Sequence, residues 1–273
     1  MTQTYLSVHN TPEVASYYAA MRFISPCEKL LFDRYIPAGA AVLDLGVGGG
    51  RTTAYLAPQA SRYVGVDYAE EMVRVCREKF PEFEFQQADA SDLSRFRPAE
   101  FDVVLMAFNG IDSLSAEGRN RCFAECFRLL RSGGTLIFSS HNVRAVLVAP
   151  VWDRERVLEL ASRLSLGKKA LRYPMVPLVT CAAVMRAWAR ASWASARRSP
   201  RMATRAFWRG EGYMEDPAYG GFLQHYSVPK LVVAEVESHG FRCREIQSSE
   251  YPVAKGELFT KWYYYAFVKP ESS

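Results

Sequence analysis

Residues 41–50 read Ala-Val-Leu-Asp-Leu-Gly-Val-Gly-Gly-Gly, and the next apolar run, Tyr63-Val64-Gly65-Val66, closes on Asp67. Residues of these types at this spacing can grip a nucleoside. Val42, Leu43 and Leu45 suit a buried parallel strand. At Gly46, Gly48 and Gly50 the missing Cβ lets the backbone turn tightly and press against a ligand. A helix beginning near Arg51-Thr52-Thr53 would aim its free N–H groups over that loop. Asp67, at a strand end, can accept two hydrogen bonds from ribose hydroxyls. A dinucleotide fingerprint, Gly-x-Gly-x-x-Gly, needs glycine where Arg51 stands, so the loop is not of that kind.

The pattern that does stand, Asp44-x-Gly46-x-Gly48-x-Gly50, resembles the first motif of class I S-adenosylmethionine-dependent methyltransferases, which have no pyrophosphate to cradle. Gln86-Gln87-Ala88-Asp89-Ala90, after a strand expected over residues 82–85, is similar to the family's adenine-contacting segment. Phe101-Asp102-Val103-Val104-Leu105-Met106-Ala107-Phe108-Asn109 resembles its fourth strand, and Leu129 to Phe138 its helix, glycine turn and fifth strand. Trp262 to Val268 resembles the closing antiparallel strand. The likeness covers about residues 40–140 and 222–270. It implies an α/β fold with a doubly wound, seven-stranded, mostly parallel sheet. It also implies S-adenosyl-L-methionine as the methyl donor, held by Asp44, Gly46, Gly48, Gly50, Asp67, Tyr68, Asp89, Ala90 and Asn109. In that scheme Asp44 anchors the methionine ammonium, directly or through water, although a strand-end Asp can equally cap the following turn. Asp89 accepts from the adenine amino group, and Ala90 offers its N–H.

Methyl transfer is an in-line displacement at an activated carbon, so collinear positioning is the enzyme's main contribution. It needs no metal. A hydroxyl acceptor also needs a general base, whereas an amine has only to arrive neutral. Acceptors in such folds sit beyond the carboxyl ends of strands four and five. Here those ends carry Asn109-Gly110-Ile111-Asp112 and Ser139-Ser140-His141-Asn142. His141 is therefore the first candidate base, and His225, which borders a long insertion, the second. Asp112 could orient either histidine or the substrate, or simply cap the helix after it. Tyr17, Tyr18 and Asn142 are candidate substrate contacts, the tyrosines lying on a helical lead-in, residues 1–40, that folds over the donor as a lid in relatives. Packing on the domain's flank is the alternative for that pair.

The elements that must position these groups alternate strand and helix from 41 to 142, which implies a parallel sheet covered on both faces. Helices are expected over 70–79, 117–130 and 230–238, and a sixth strand over 242–247. Residues 41–142 and 223–273 form the expected core, and residues 143–222 a helical cap between strands five and six. That cap holds 12 Arg and 2 Lys against 6 acidic residues, a net of +8, which leaves −3 for the remainder of a chain whose total is +5. Arg186, Arg190, Arg197 and Arg201 would line one helical face, with Trp188 and Trp193 apart from it, until Pro200 bends the run. The cap suits an anionic small molecule or glycan, an anionic membrane surface bearing a lipid-linked acceptor, or RNA; a solvated basic face is the plain alternative.

With 273 residues, 49% of them apolar, the chain can bury a sizeable core. The six cysteines form no CxxC pair and suit a reducing compartment. The longest nearly apolar run, 175–185, is too short to span a bilayer, so a cytoplasmic protein without a transmembrane segment is expected. DNA amino-methyltransferases carry Asp/Asn-Pro-Pro-aromatic after strand four, where this chain has Phe108-Asn109-Gly110-Ile111. Cytosine C5 enzymes place a Pro-Cys nucleophile there, but Pro26-Cys27 precedes the glycine loop. The leading expectation is O-methylation of a small molecule or of a sugar-containing or lipid-linked intermediate. N-methylation of a small amine, or a non-catalytic nucleoside binder that docks through its basic cap, are the alternatives.

Overall fold

The computed structural model describes residues 9–145, 200–215, 223–254 and 256–271. Its centre is a seven-stranded sheet. Strands β1 (Ala41–Leu45), β2 (Arg62–Asp67), β3 (Glu84–Gln87), β4 (Phe101–Met106) and β5 (Leu130–His141) are parallel; β9 (Trp262–Val268) pairs antiparallel with β5, and β8 (Arg242–Ser248) pairs antiparallel with β9 at the edge. The order is β3-β2-β1-β4-β5-β9-β8, so the chain reverses direction across the sheet at β1 and β4. Ligands of open α/β sheets bind beyond the strand ends at such a switch point.

Burial on both faces explains why β1 is apolar but for the buried Asp44 near its end. Leu43, Leu45, Val104, Leu136 and Phe138 point to one face, where helices Ala116–Leu129 and Pro229–Glu237 bring Cys122, Phe123, Cys126, Val232 and Val236. Val42, Val103, Leu105 and Ile137 point to the other, against Leu31 and Phe32 of helix Pro26–Tyr35 and Val73 and Cys76 of helix Glu70–Lys79. Period-2 alternation thus divides each strand between two cores.

Three elements differ from expectation. The third strand starts two residues later, because a turn, with the Phe83 N–H on the Phe80 carbonyl at 3.1 Å, follows Pro81; Gln87 then pairs with Asp67. The helix after the glycine loop is a single turn, Thr53–Leu56, continued as 3-10 turn Ala57–Gln59 around Pro58. The cap expected to be helical, residues 143–222, contains a strand, β6 (Glu211–Glu215), which pairs antiparallel with β7 (Leu223–Ser227) just past it. The pair is packed by Val143, Ala206, Met214 and Tyr226, and Ser227 bridges to Asn142 just past β5. Helix Pro200–Arg209 precedes β6, and Pro200 is its first described residue. The expected face through Arg186, Arg190 and Arg197, the tryptophans Trp188 and Trp193, and most of the basic cap lie outside the described residues, as do residues 1–8.

Candidate active site

A cavity opens over the carboxyl ends of β1, β2 and β4. It is lined by Gly46, Gly48, Gly49, Arg51, Thr52, Asp67, Tyr68, Ala90, Met106 and Phe108, with His9, Tyr18 and Met21 from the N-terminal segment. Gly46 adopts φ +66° and Gly48 φ +55°, conformations that a Cβ disfavours. A Cβ on Gly46 would meet no protein atom within 4 Å, so the loop faces open space at that point. Gly50 acts differently: a Cβ there would lie 2.6 Å from the Phe80 ring. It seats the helix Glu70–Lys79 and does not line the cavity. Gly49, which the glycine pattern did not single out, meets the helix Pro12–Ala20, with Ala19 N and Tyr18 C each 2.3 Å from an added Cβ.

Asp67 stands at the end of β2 with a buried carboxylate. Oδ2 accepts from the Gly48 N–H and Oδ1 from the Ala69 N–H, both at 2.9 Å. Each oxygen keeps a further lone pair. Burial raises its pKa, while those backbone donors oppose the rise. Asp44 lies deeper, below the cavity, with Oδ2 accepting from Thr52 Oγ1 at 2.5 Å and Tyr63 OH at 2.7 Å. Burial lifts its carboxyl to about 6. Thr52 lines the cavity and Asp44 does not, so the Asp44 carboxylate faces that space only through the Thr52 hydroxyl. Asp89 is engaged in its own turn, accepting from Ser91 N and Oγ at 2.8 Å each, whereas Ala90 and Tyr68 line the cavity. A nucleoside fits this donor and acceptor set: a carboxylate for vicinal hydroxyls, an apolar floor of Ala90 and Met106, and a backbone cradle. S-adenosylmethionine could therefore be held by Gly46, Gly48, Asp67, Tyr68 and Ala90.

Arg51 closes the glycine loop on the cavity side. Its guanidinium meets Glu28 at 2.8 and 2.5 Å and the Phe23 carbonyl at 2.9 Å, and sits 5.2 Å from the centroids of both Phe23 and Phe108. Phe108 and Asn109 carry positive φ, 58° and 62°, uncommon outside glycine and strained for a bulky aromatic. The strain turns the chain sharply after β4 and leaves the Phe108 ring at the cavity mouth.

Beyond Phe108 the second half of the site is assembled from β5. The Asp112 carboxylate is fully buried and accepts from four directions: Ser140 Oγ at 2.7 Å, the His141 N–H at 2.7 Å, His141 Nδ1 at 2.8 Å and Arg119 Nη1 at 3.3 Å. An ionised carboxylate only accepts, so the contact places a proton on Nδ1, and in the neutral imidazole Nε2 then carries the free pair. Nε2 is faced by the Asn109 side-chain amide at 3.2 Å. The Tyr226 ring lies 4.7 Å from the imidazole and Trp262 6.5 Å.

Several expected roles change with this geometry. Asn109 packs against His141, with its N–H on Ser139 Oγ at 2.8 Å, and does not line the donor cavity. His225 is buried, and its Nδ1 meets Arg119, a group that only donates; burial, with Arg119 adding to it, lowers its pKa to about 3. Its free pair is thus already engaged, and Asp112 serves His141. Asn142 braces a loop, donating to the Glu257 and Thr260 carbonyls at 2.7 and 2.8 Å and accepting from Arg144 N at 3.0 Å. Tyr18 reaches the cavity; Tyr17 is exposed and touches it only through an edge contact with Tyr18.

A family model described as a methyltransferase domain matches residues 42–134. The ubiquinone biosynthesis O-methyltransferase of Methylococcus capsulatus is 34% identical over 123 residues, 42% of this chain and 49% of that protein. The same-named protein of Thiobacillus denitrificans is 30% identical over 158 residues, 54% of this chain and 65% of that one. The match therefore spans half to two thirds of these relatives. Among solved structures, an S-adenosylmethionine-dependent methyltransferase of Mesorhizobium loti superposes with a TM-score of 0.58 at 16% identity, covering 89% of this chain and 97% of that one. A 1,6-didemethyltoxoflavin-N1-methyltransferase of Burkholderia thailandensis gives 0.57 at 16% identity, covering 98% and 86%.

Proposed function

We propose that this chain, whose residues 42–134 are a class I S-adenosylmethionine-dependent methyltransferase domain, methylates an oxygen of a small molecule. The observation that carries the reading is the His141–Asp112 pair beyond the donor cavity. An imidazole fixed through Nδ1 by a buried carboxylate, with Nε2 left to accept, is what a hydroxyl acceptor needs and an amine does not. That two curated relatives are named O-methyltransferases supports the same choice.

S-adenosylmethionine, when bound, supplies an electrophilic methyl carbon. The protein's own groups do the rest. Asp67 would accept from the ribose hydroxyls, and Gly46 and Gly48 would allow the backbone to approach closely. Phe108 and Arg51 wall the cavity mouth and exclude water, which strengthens the electrostatics inside. The acceptor hydroxyl takes the place of the Asn109 amide at His141 Nε2 and passes its proton there as its oxygen reacts. Asp112 then balances the imidazolium that results. The basic, partly undescribed stretch 143–222 is the natural contributor to acceptor choice, and its charge favours an anionic small molecule.

Purified protein incubated with labelled donor should methylate hydroxyl acceptors and spare matched amines. His141→Ala should lower kcat by roughly 10²–10⁴-fold while leaving donor affinity unchanged. Undiminished turnover in that variant would remove the base from the mechanism, and transfer confined to amines would overturn the O-methyl reading.

A further inference from the structure

Arg119 lies outside the donor cavity, yet it is only 1% exposed. A buried guanidinium is tolerated only with partners, since its desolvation is expensive. Arg119 has three, on three different elements. Nη1 reaches Asp112 Oδ1 at 3.3 Å and also His225 Nδ1, while Nε, at 3.1 Å, and Nη2 both take the Glu235 carboxylate. Asp112 in turn holds His141. Glu235, Arg119, Asp112 and His141 therefore form one unbroken line of alternating charge that ends at an imidazole.

We propose that Arg119 is a positioning residue that keeps Asp112 ionised and His141 in its neutral, Nδ1-protonated form, so that Nε2 is free to accept a proton. The proposal rests on the reading of His141 as the base. A carboxylate alone beside an imidazole favours the imidazolium, which cannot act as a base. A positive charge on the far side of the same carboxylate opposes that tendency, and Glu235 moderates it. Apart from the Glu211 carboxylate, which lies beyond His225, the other groups around the line are neutral. His225 accepts from Arg119, and its Nε2 points toward Glu211 at 3.9 Å. The phenols of Tyr213 and Tyr265 stay protonated because burial pushes both up. Tyr226, Trp262 and the Asn109 amide, which flank His141 directly, bring no charge. On Arg119 itself burial works against the charge, but Glu235 and then Asp112 more than offset it.

The test is an NMR titration of the histidine rings in the full chain, with the His141 signal assigned by its loss in His141→Gln. In Arg119→Gln the signal should turn over at a pH higher by about one unit. Arg119→Lys, which keeps the charge, should stay near wild type, and Glu235→Gln, altering a partly exposed group, should move it lower. A wild-type midpoint in Arg119→Gln overturns the proposal, as does one in Glu235→Gln should Arg119→Gln fail to fold; so does Arg119→Lys shifting as far as Arg119→Gln. Because the titration needs no turnover, its failure is distinct from a failure of O-methylation. In an active preparation the acid limb of kcat should move with the NMR midpoint.

Discussion

Arg51 and Glu28, both buried, meet in a two-pronged ion pair that fastens the glycine loop to the helix Pro26–Tyr35, and Tyr264 of β9 donates to the same carboxylate at 2.8 Å. Glu28→Gln leaves a buried guanidinium without its counter-charge, so a loss of about 3–5 kcal/mol in denaturant melts is expected. Burial tends to raise the Glu28 pKa, but Arg51, the Ser25 N–H and Tyr264 together hold it below the usual carboxylate range. The folded value lies under the unfolded one, so the stability it contributes is present above the ordinary 4.5 and lost as pH falls through the folded value. The gap between wild type and Glu28→Gln should therefore narrow on acidification below that point. A constant gap from neutral pH to pH 3 would assign the role to packing.

On the proposed function, donor binding should turn on the Asp67 carboxylate. Asp67→Asn removes the charge and offers an amide N–H where the Gly48 and Ala69 N–H groups already point. Losing a charge-assisted hydrogen bond of about 1.5–3 kcal/mol should weaken the demethylated donor product by roughly 10–100-fold in calorimetry. Wild-type affinity in this variant would place the ribose elsewhere.

Gly49 and Gly46 separate two uses of one loop. Gly49→Ala drives a Cβ into the backbone of Tyr18 and Ala19, so the helix Pro12–Ala20 must lift, at about 1–3 kcal/mol. Proteolytic cleavage within residues 12–20 should accelerate. Gly46→Ala meets no atom but forces an alanine into left-handed backbone, costing about 1–2 kcal/mol without faster cleavage there. Equal cleavage in the two variants would contradict this division.

The central sheet could be read from the sequence because buried parallel strands leave a plain mark: apolar stretches such as Ala41–Leu43 and Val103–Met106, followed closely by glycines or a polar turn. The helix Glu70–Lys79 was equally legible, with acidic residues first, basic ones last and Pro81 beyond it. The division of labour among Gly48, Gly49 and Gly50 was not, since each is defined by a neighbour distant in sequence: Tyr18, Ala19 and Phe80. The β6–β7 pair leaves no local mark in the sequence, because Leu223–Ser227 runs straight into a proline-headed helix and its pairing with Glu211–Glu215 is a tertiary fact. Nothing in the sequence marks Arg119 out within the helix Ala116–Leu129, because charged residues on helices are mostly solvated. Only the fold shows that its side chain faces inward, between Asp112, His225 and Glu235.

Asp44 carries a destabilising charge that binding can use. Burial raises its carboxyl from 3.8 to about 6, and Thr52 and Tyr63 only partly offset that. The folded value exceeds the unfolded one, so the favourable contribution is complete below about pH 3.8 and disappears as pH rises through about 6. Asp44→Asn keeps an acceptor oxygen for both hydroxyls and carries no charge to desolvate. At pH 7.5 it should be more stable than wild type by about 1–3 kcal/mol, an advantage that shrinks to nothing near pH 4. Donor affinity should fall in the same variant if the carboxylate, through Thr52, balances the methionine ammonium. A variant that gains stability and binds the donor as tightly as wild type would leave Asp44 as a cap of the glycine turn. One that loses stability at neutral pH would show that Asp44 is ionised and satisfied in its buried site.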